Sequence, residues 1–206
     1  RWENFIKPRV YPDGIQYPEI LIEEFTKLQT LNNQLPSSSS SAWEQVGPNS
    51  VPLESNGRKR GIGRVNTIAF HPSDSNIIYI GSPSGGFWKS TNNGQNWIST
   101  TTDFLTNLGV SDIAINPSNP DHIYIITGDR DGGDTYSYGL MKSIDGGNTF
   151  NLTGLSFNVT NYYKGNRVLI DPSNTNTIIV ATSNGIYRSV DAGVSFVLTY
   201  SGINMT

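Results

Sequence analysis

The sequence predicts an all-β fold built from a repeated four-stranded unit, and three observations carry that prediction. First, 21 Gly and 11 Pro are interleaved with Leu, Ile, Val, Ser, Thr and Asn over 206 residues, a mix that favours short strands joined by turns over helices. Second, three segments align: "VNTIAFHPSDSNIIYIGSPSGGFWKSTNNGQNWIST" from Val65, "VSDIAINPSNPDHIYIITGDRDGGDTYSYGLMKSIDGGNTFNLTG" from Val110, and "NRVLIDPSNTNTIIVATSNGIYRSVDAGVSFVLTY" from Asn166. Third, each carries a box of pattern S-x-(D/N)-x-G-x-x-(W/F), at 90–97, 143–150 and 189–196.

In chain order, residues 1–17 mix aromatics with Pro and Gly without a period and read as an extended arm. From Pro18 to Asn33, Leu21, Phe25, Leu28 and Leu31 fall at helical spacing, Pro18 suits a first turn, and Glu19, Glu23 and Glu24 lie toward the positive end of the helix dipole. One α-helix is therefore expected, within an N-terminal unit of residues 1–36. Five serines, 37–41, form a linker by composition. "AWEQVGP" (42–48) reads as the closing outer strand of a blade.

The three repeats that follow are expected to form blades at about 63–100, 108–154 and 165–200, within a repeat region of 42–206. Each runs through an apolar stretch, a Pro-Ser turn (Pro72, Pro117, Pro172), a second apolar stretch, a Gly-containing turn, a third strand, the box and a fourth strand. Turn prolines lie 45 and 55 residues apart and the boxes step by 53 and 46, a spacing that marks a β-propeller blade. "IIYI" (77–80), "HIYII" (122–126) and "TIIVA" (177–181) are continuous apolar runs, as strands packed on both faces require. A β-sandwich would alternate more cleanly, and a β-helix would repeat at a shorter period. Three blades fall short of a closed ring, so the expectation is a seven-bladed ring completed by further blades or by a partner.

The box has a physical reading of its own. Ser and Asp side chains accept hydrogen bonds from nearby amides and brace a hairpin turn, Gly supplies positive φ, and the aromatic plugs the blade. Structural roles are thus expected for Ser90, Asn92, Gly94 and Trp97, for Ser143, Asp145, Gly147 and Phe150, and for Ser189, Asp191, Gly193 and Phe196. Asn92 can accept these bonds but cannot act as a base.

Composition narrows the function. A net charge of −3, whose one basic cluster is Arg58, Lys59, Arg60 and Arg64, gives no support to a nucleic-acid partner. Zero cysteines exclude disulfides and thiolate metal sites, and no run of about 18 apolar residues offers a membrane span. The chain opens at Arg1 with no Met and no leader, which reads as a processed product.

The boxes, taken with "GGFWKS", "YGLMKS" and "GIYRS" one strand earlier, resemble the Asp-box (BNR) repeat over residues 42–200. The stretch 63–97 is similar to propellers of the sortilin (VPS10) type and of family 74 xyloglucanases. It is also similar to surface proteins exported by the type IX secretion system, in which a segment like "WENFIKPRVYPDG" (2–14) precedes the propeller. The resemblance to family 74 implies a catalytic base in the first blade's loop between its second and third strands; the matching position here is Pro83, which cannot accept a proton. The arginine cluster of sialidases is a weaker parallel, because their Arg-Ile-Pro signature is missing.

Strand order places the boxes on one face of the ring and the loops between second and third strands on the other, toward which the first strands also enter. Those loops are 82–86, 128–139 and 182–185, the middle one about eight residues longer, a length that points to function. Candidate ligand-binding residues on that face are Arg64, Arg130, Tyr136, Tyr138 and Arg167, with Tyr162 and Tyr163 beside the last. Arginines beside aromatics suit an acidic sugar or carboxylate, while pairing with loop carboxylates is the plainer role for Arg64 and Arg167. Asp129, Asp131 and Asp134 could wrap calcium through oxygen ligands, although their spacing is not that of an EF-hand and a solvated acidic loop is the simpler reading. No other cofactor is implied. His71 and His122 lie at turns on the box face, and no nucleophile–base set or phosphate-cradling loop is present.

The expected function is non-catalytic binding or adhesion by a secreted or outer-surface protein whose partner is a polysaccharide or another surface protein. Two alternatives stand beside it: a glycoside hydrolase whose catalytic pair lies in other blades, and a structural subunit of a larger secreted assembly.

Overall fold

The structure is a computed structural model and describes residues 17–34, 63–100, 102, 109–132 and 135–201. The arm (1–16), the serine linker, the strand expected at 42–48 and Asp134 lie outside the described residues. The expected helix, α1, runs Pro18–Gln34. Its exposed face carries a Lys27–Glu24 ion pair of 2.6 Å at i,i+3 spacing, and Leu28 and Leu31 are exposed.

Twelve strands follow among the described residues. β1 (Thr67–Phe70), β2 (Ile78–Ser82), β3 (Gly86–Ser90) and β4 (Ile98–Ser99) form the first sheet. β5 (Val110–Ile115), β6 (Ile123–Thr127), β7 (Gly139–Ser143) and β8 (Asn151–Ser156) form the second. β9 (Gly165–Ile170), β10 (Ile178–Thr182), β11 (Gly185–Ser189) and β12 (Val197–Ser201) form the third. Each sheet is an antiparallel meander in sequence order, so the described repeats are three blades of a β-propeller. The register is shared: Ile78 faces Ser90, Ile123 faces Ser143, and Ile178 faces Ser189. The outer strand of blade two runs to Ser156, two residues beyond the expected 154.

The core lies between blades, and the period-2 geometry of β6 explains how. Ile123 and Ile125 point to one side and join Tyr79 and Phe87 of blade one; Tyr124 and Ile126 point to the other and join Val168, Ile178 and Val180 of blade three. All of β6 is therefore buried, whereas β2 and β10 alternate. The expectation that all three runs pack on both faces holds fully only for the middle blade, because among the described residues blades one and three each have a neighbour on one side alone. The box aromatics also differ in burial. Phe150 is buried, edge-on to Phe87 of blade one with 4.9 Å between ring centroids, but Trp97 and Phe196 are only half-buried.

The turns between first and second strands are pinned by the residue before each proline. Asn116 Oδ1 accepts from the amides of Ser118 and Asn119 (2.9 and 3.1 Å), and Asp171 Oδ1 accepts from the amide of Ser173 (2.9 Å). At the equivalent place His71 Nδ1 accepts from the amides of Ser73 and Asp74 (3.3 and 3.1 Å), an imidazole standing in for a carboxamide.

Candidate functional site

The box carboxylates are spent on their own turns. In box two Ser143 Oγ donates to Asp145 Oδ1 (2.7 Å) while accepting from the Gly147 amide (2.9 Å), and Asp145 accepts from both the amide and hydroxyl of Thr149 (2.9 and 2.6 Å). Box three repeats every contact with Ser189, Asp191, Gly193 and Ser195. The Ser195 hydroxyl and amide, with the Ser189 hydroxyl, hold the Asp191 carboxyl down at about 2. Burial pushes Asp145 up, but the bonds from Thr149 and Ser143 outweigh it and its net shift is downward. In box one Asn92 Oδ1 accepts from the amide of Asn96 at 2.8 Å, and no hydroxyl follows it. The residue four after the Asp, Thr149 or Ser195, is thus a working part of the box that the S-x-D-x-G-x-x-F pattern passes over.

Boxes also join blades. Lys89 Nζ donates to Gly146 O (3.0 Å) in the next blade's box and lies 5.9 Å from the Tyr79 ring centroid; Lys142 Nζ donates to Ala192 O (3.4 Å) and lies 5.3 Å from the Tyr124 centroid. Tyr124 Oη donates to the same Ala192 carbonyl (2.9 Å). Desolvation lowers the Lys142 pKa and raises that of Tyr124 to about 12. The signal was the basic residue before each box Ser, in "WKS", "MKS" and "YRS".

The opposite face is organised differently. Arg64, entering β1, pairs with the fully buried Asp129 of the long blade-two loop, which also accepts from the Asp131 amide at 3.2 Å. Arg130 Nη2 donates to Asn66 O at 2.9 Å, with its Nε 3.6 Å from Asp131. That loop is anchored by Thr135 Oγ1 donating to Pro83 O (2.8 Å) and by the Tyr138 amide donating to Thr127 Oγ1 (2.7 Å). Tyr136 stands edge-on to Tyr162.

Arg167 does not pair with a loop carboxylate, as expected, but with Asp112 on the neighbouring strand β5 (3.8 Å). Asp112 escaped the sequence reading, yet it links all three innermost strands: Oδ1 accepts from Thr67 Oγ1 (2.9 Å) on β1, and Oδ2 from the Val168 amide (3.1 Å) on β9. A signal existed. Thr67, Asp112 and Arg167 each lie five residues before their turn proline, so repeat alignment places them in one ring about the axis. A groove of about 430 Å³ lies along β1, β5 and β9, bordered by Asn66, Asp112, Arg130 and Arg167. At its border, Asn66 Oδ1 is buried with no hydrogen-bond partner among the described residues.

Two candidate roles are reshaped by these contacts. Pro83 is buried with its carbonyl covered by Thr135, so the position matched to a catalytic base carries no proton acceptor and no open space. Of the calcium candidates, Asp129 faces Arg64 and Asp131 faces Arg130. Among the described residues, no group of three His, Cys, Asp or Glu side chains could hold a metal.

Comparison with known proteins agrees with this architecture. The chain is 28% identical over 148 residues to a xyloglucanase of Hypocrea jecorina, covering 66% of this chain and 18% of that protein. A xyloglucanase of Paenibacillus sp. is 30% identical over 149 residues, covering 66% of this chain and 14% of its own length. The chain thus spans less than a fifth of these relatives. Among solved structures, the GH74 enzyme of Niastella koreensis superposes with a TM-score of 0.52 at 26% identity, over 68% of this chain and 22% of that one. An ancestral GH74 enzyme gives 0.55 at 26% identity, over 65% and 18%. The family model described as sortilin, neurotensin receptor 3 (Sortilin-Vps10) matches residues 52–185, which is most of the repeat region, and the chain belongs to that family.

Proposed function

We propose that this chain is part of a secreted or outer-surface β-propeller protein that binds a polysaccharide, a β-glucan of the xyloglucan class, on the face opposite the boxes. One observation carries the reading. That face gathers Arg130, Arg167, Asp112 and Asn66 around an open groove, with Tyr136 and Tyr138 on the long loop beyond it, while the box carboxylates are consumed by their turns. Arg130 and Arg167 can donate to sugar hydroxyls, and a few convergent polar groups on an otherwise apolar lining are the usual make-up of a binding site. The xyloglucanases it resembles supply the substrate class. Pro83 supports binding rather than hydrolysis by blade one.

Those same relatives favour a second reading, a glycoside hydrolase, in which two carboxyl groups about 5–10 Å apart would flank the scissile bond and come from outside the described residues. The two separate cleanly. Isothermal titration of the purified protein with xyloglucan oligosaccharides should give saturable binding with no release of reducing ends. Release of reducing sugar would establish the hydrolase, and absence of both binding and release would overturn the polysaccharide reading in favour of a structural or protein-binding role.

A further inference from the structure

Tyr162 departs from what its backbone asks for. Outside the boxes it is the one described non-glycine residue in the left-handed region, at φ 59° and ψ 24°, as the C-cap of the short 3-10 turn Val159–Asn161. Gly or Asn fills such a position at little cost, whereas a bulky aromatic is disfavoured there. Yet this Tyr is 50% exposed. A strained residue left half-exposed is a mark of function.

The frame that holds it is hydrogen-bonded to blades two and three. Asn158 and Asn161 cap the turn reciprocally at 3.1 Å, Val159 beneath is buried, and the Tyr162 amide donates to Val159 O (3.0 Å). The Ser137 amide of the blade-two loop donates to Tyr163 O (2.6 Å). In blade three, Lys164 and Ser183 exchange two bonds of 2.9 Å. Tyr136 stands at 88° to Tyr162 with 5.1 Å between ring centroids, so two rings form a right-angled corner.

We infer that Tyr162, walled by Tyr136, is a stacking platform for one neutral pyranose unit of the polysaccharide. A β-linked glucose ring offers an apolar C–H face with hydroxyls around its rim. A half-exposed tyrosine offers the matching pair, an apolar ring and a wet hydroxyl, without recruiting a charge. The inference rests on the polysaccharide reading and adds to it a site at the junction of blades two and three, outside the axial groove.

The test is isothermal titration of the purified protein with cellohexaose and with xyloglucan heptasaccharide, comparing wild type with Tyr162→Ala, Tyr162→Gly, Tyr162→Phe and Tyr162→Trp. Ala and Gly should each bind at least about tenfold more weakly, while Phe and Trp stay within about threefold, since stacking needs the ring and not the hydroxyl. Tyr162→Gly should melt above Tyr162→Ala, because both lack the ring and only Gly relaxes at positive φ. If wild type binds and both ring-less variants bind within about twofold of it, the platform is wrong and the polysaccharide reading stands. If wild type binds neither sugar, both are overturned.

Discussion

Replacing Asp112 with alanine removes a side chain that joins all three innermost strands. The largest loss falls on the Val168 amide, which lies on a residue 1% exposed and has no water to turn to. A buried donor left without an acceptor costs about 1–3 kcal/mol. Thr67 is half-buried and re-solvates its hydroxyl in part, adding about 0.5–1 kcal/mol. Arg167 is mostly exposed, and exposed ion pairs contribute about 0–1 kcal/mol, so that contact adds little. The total is about 2–4 kcal/mol, or a fall in Tm of roughly 5–15 °C for a chain of this size. Asp112→Asn separates the causes. Its carbonyl can still accept from Val168 and its amide can donate to Thr67, so it should cost only about 0.5–1.5 kcal/mol. Arg167→Ala should stay within about 0.5 kcal/mol of wild type. Urea unfolding measures all three, and hydrogen exchange at the Val168 amide reports the bond directly. An Asn variant as unstable as Ala, or an Arg167→Ala variant matching Asp112→Ala, would show that charge and not hydrogen bonding joins the blades, and would refute the reasoning.

Other outcomes follow from the boxes and the long loop. Asp191 is held down at about 2, and Asp145 is also lowered, against about 3.9 for an unfolded Asp; stability from these bonds is complete above the unfolded value and is lost as pH falls from about 4 toward 2. Melting curves across that window should steepen in wild type and flatten in Asp191→Asn; identical pH profiles would remove the brace from the explanation. Ala192 sits at φ 57°, so Ala192→Gly should stabilise by about 0.5–1 kcal/mol, whereas a loss would mean the turn differs in solution. Because Asp129 and Asp131 each face an arginine, added calcium should shift Tm by less than about 1 °C. A larger rise, absent in Asp131→Ala, would instead establish the calcium loop.

The blades were legible because their determinants are local and repeated. Pro-Ser turns, Gly at positive φ and a box opposite the start of each second strand recur in register, and the helix from Pro18 followed from its spacing. Less legible was whatever one blade does to the next. Asp112 reads as an ordinary strand residue until Thr67 and Arg167 are seen at the same repeat position, and Lys89 and Lys142 read as solvent-facing charges until the neighbouring box carbonyl stands above them. Tyr162 was legible only as an aromatic beside Arg167; its left-handed backbone left no trace, since it belongs to a turn inserted between repeats and obeys no period. Burial, too, depends on neighbours: the runs of β2 and β10 look like β6 in sequence, and among the described residues only β6 has a blade on either side.

The central claim is that the binding face lies opposite the boxes, and one titration tests it most directly. Xyloglucan heptasaccharide is titrated into wild type, a box variant (Asp145→Ala) and a face variant (Arg130→Ala combined with Tyr136→Ala), all below their melting temperatures. The account predicts unchanged affinity in the box variant, despite its lower Tm, and a loss of at least about tenfold in the face variant. Loss of binding in the box variant with full affinity in the face variant would contradict it.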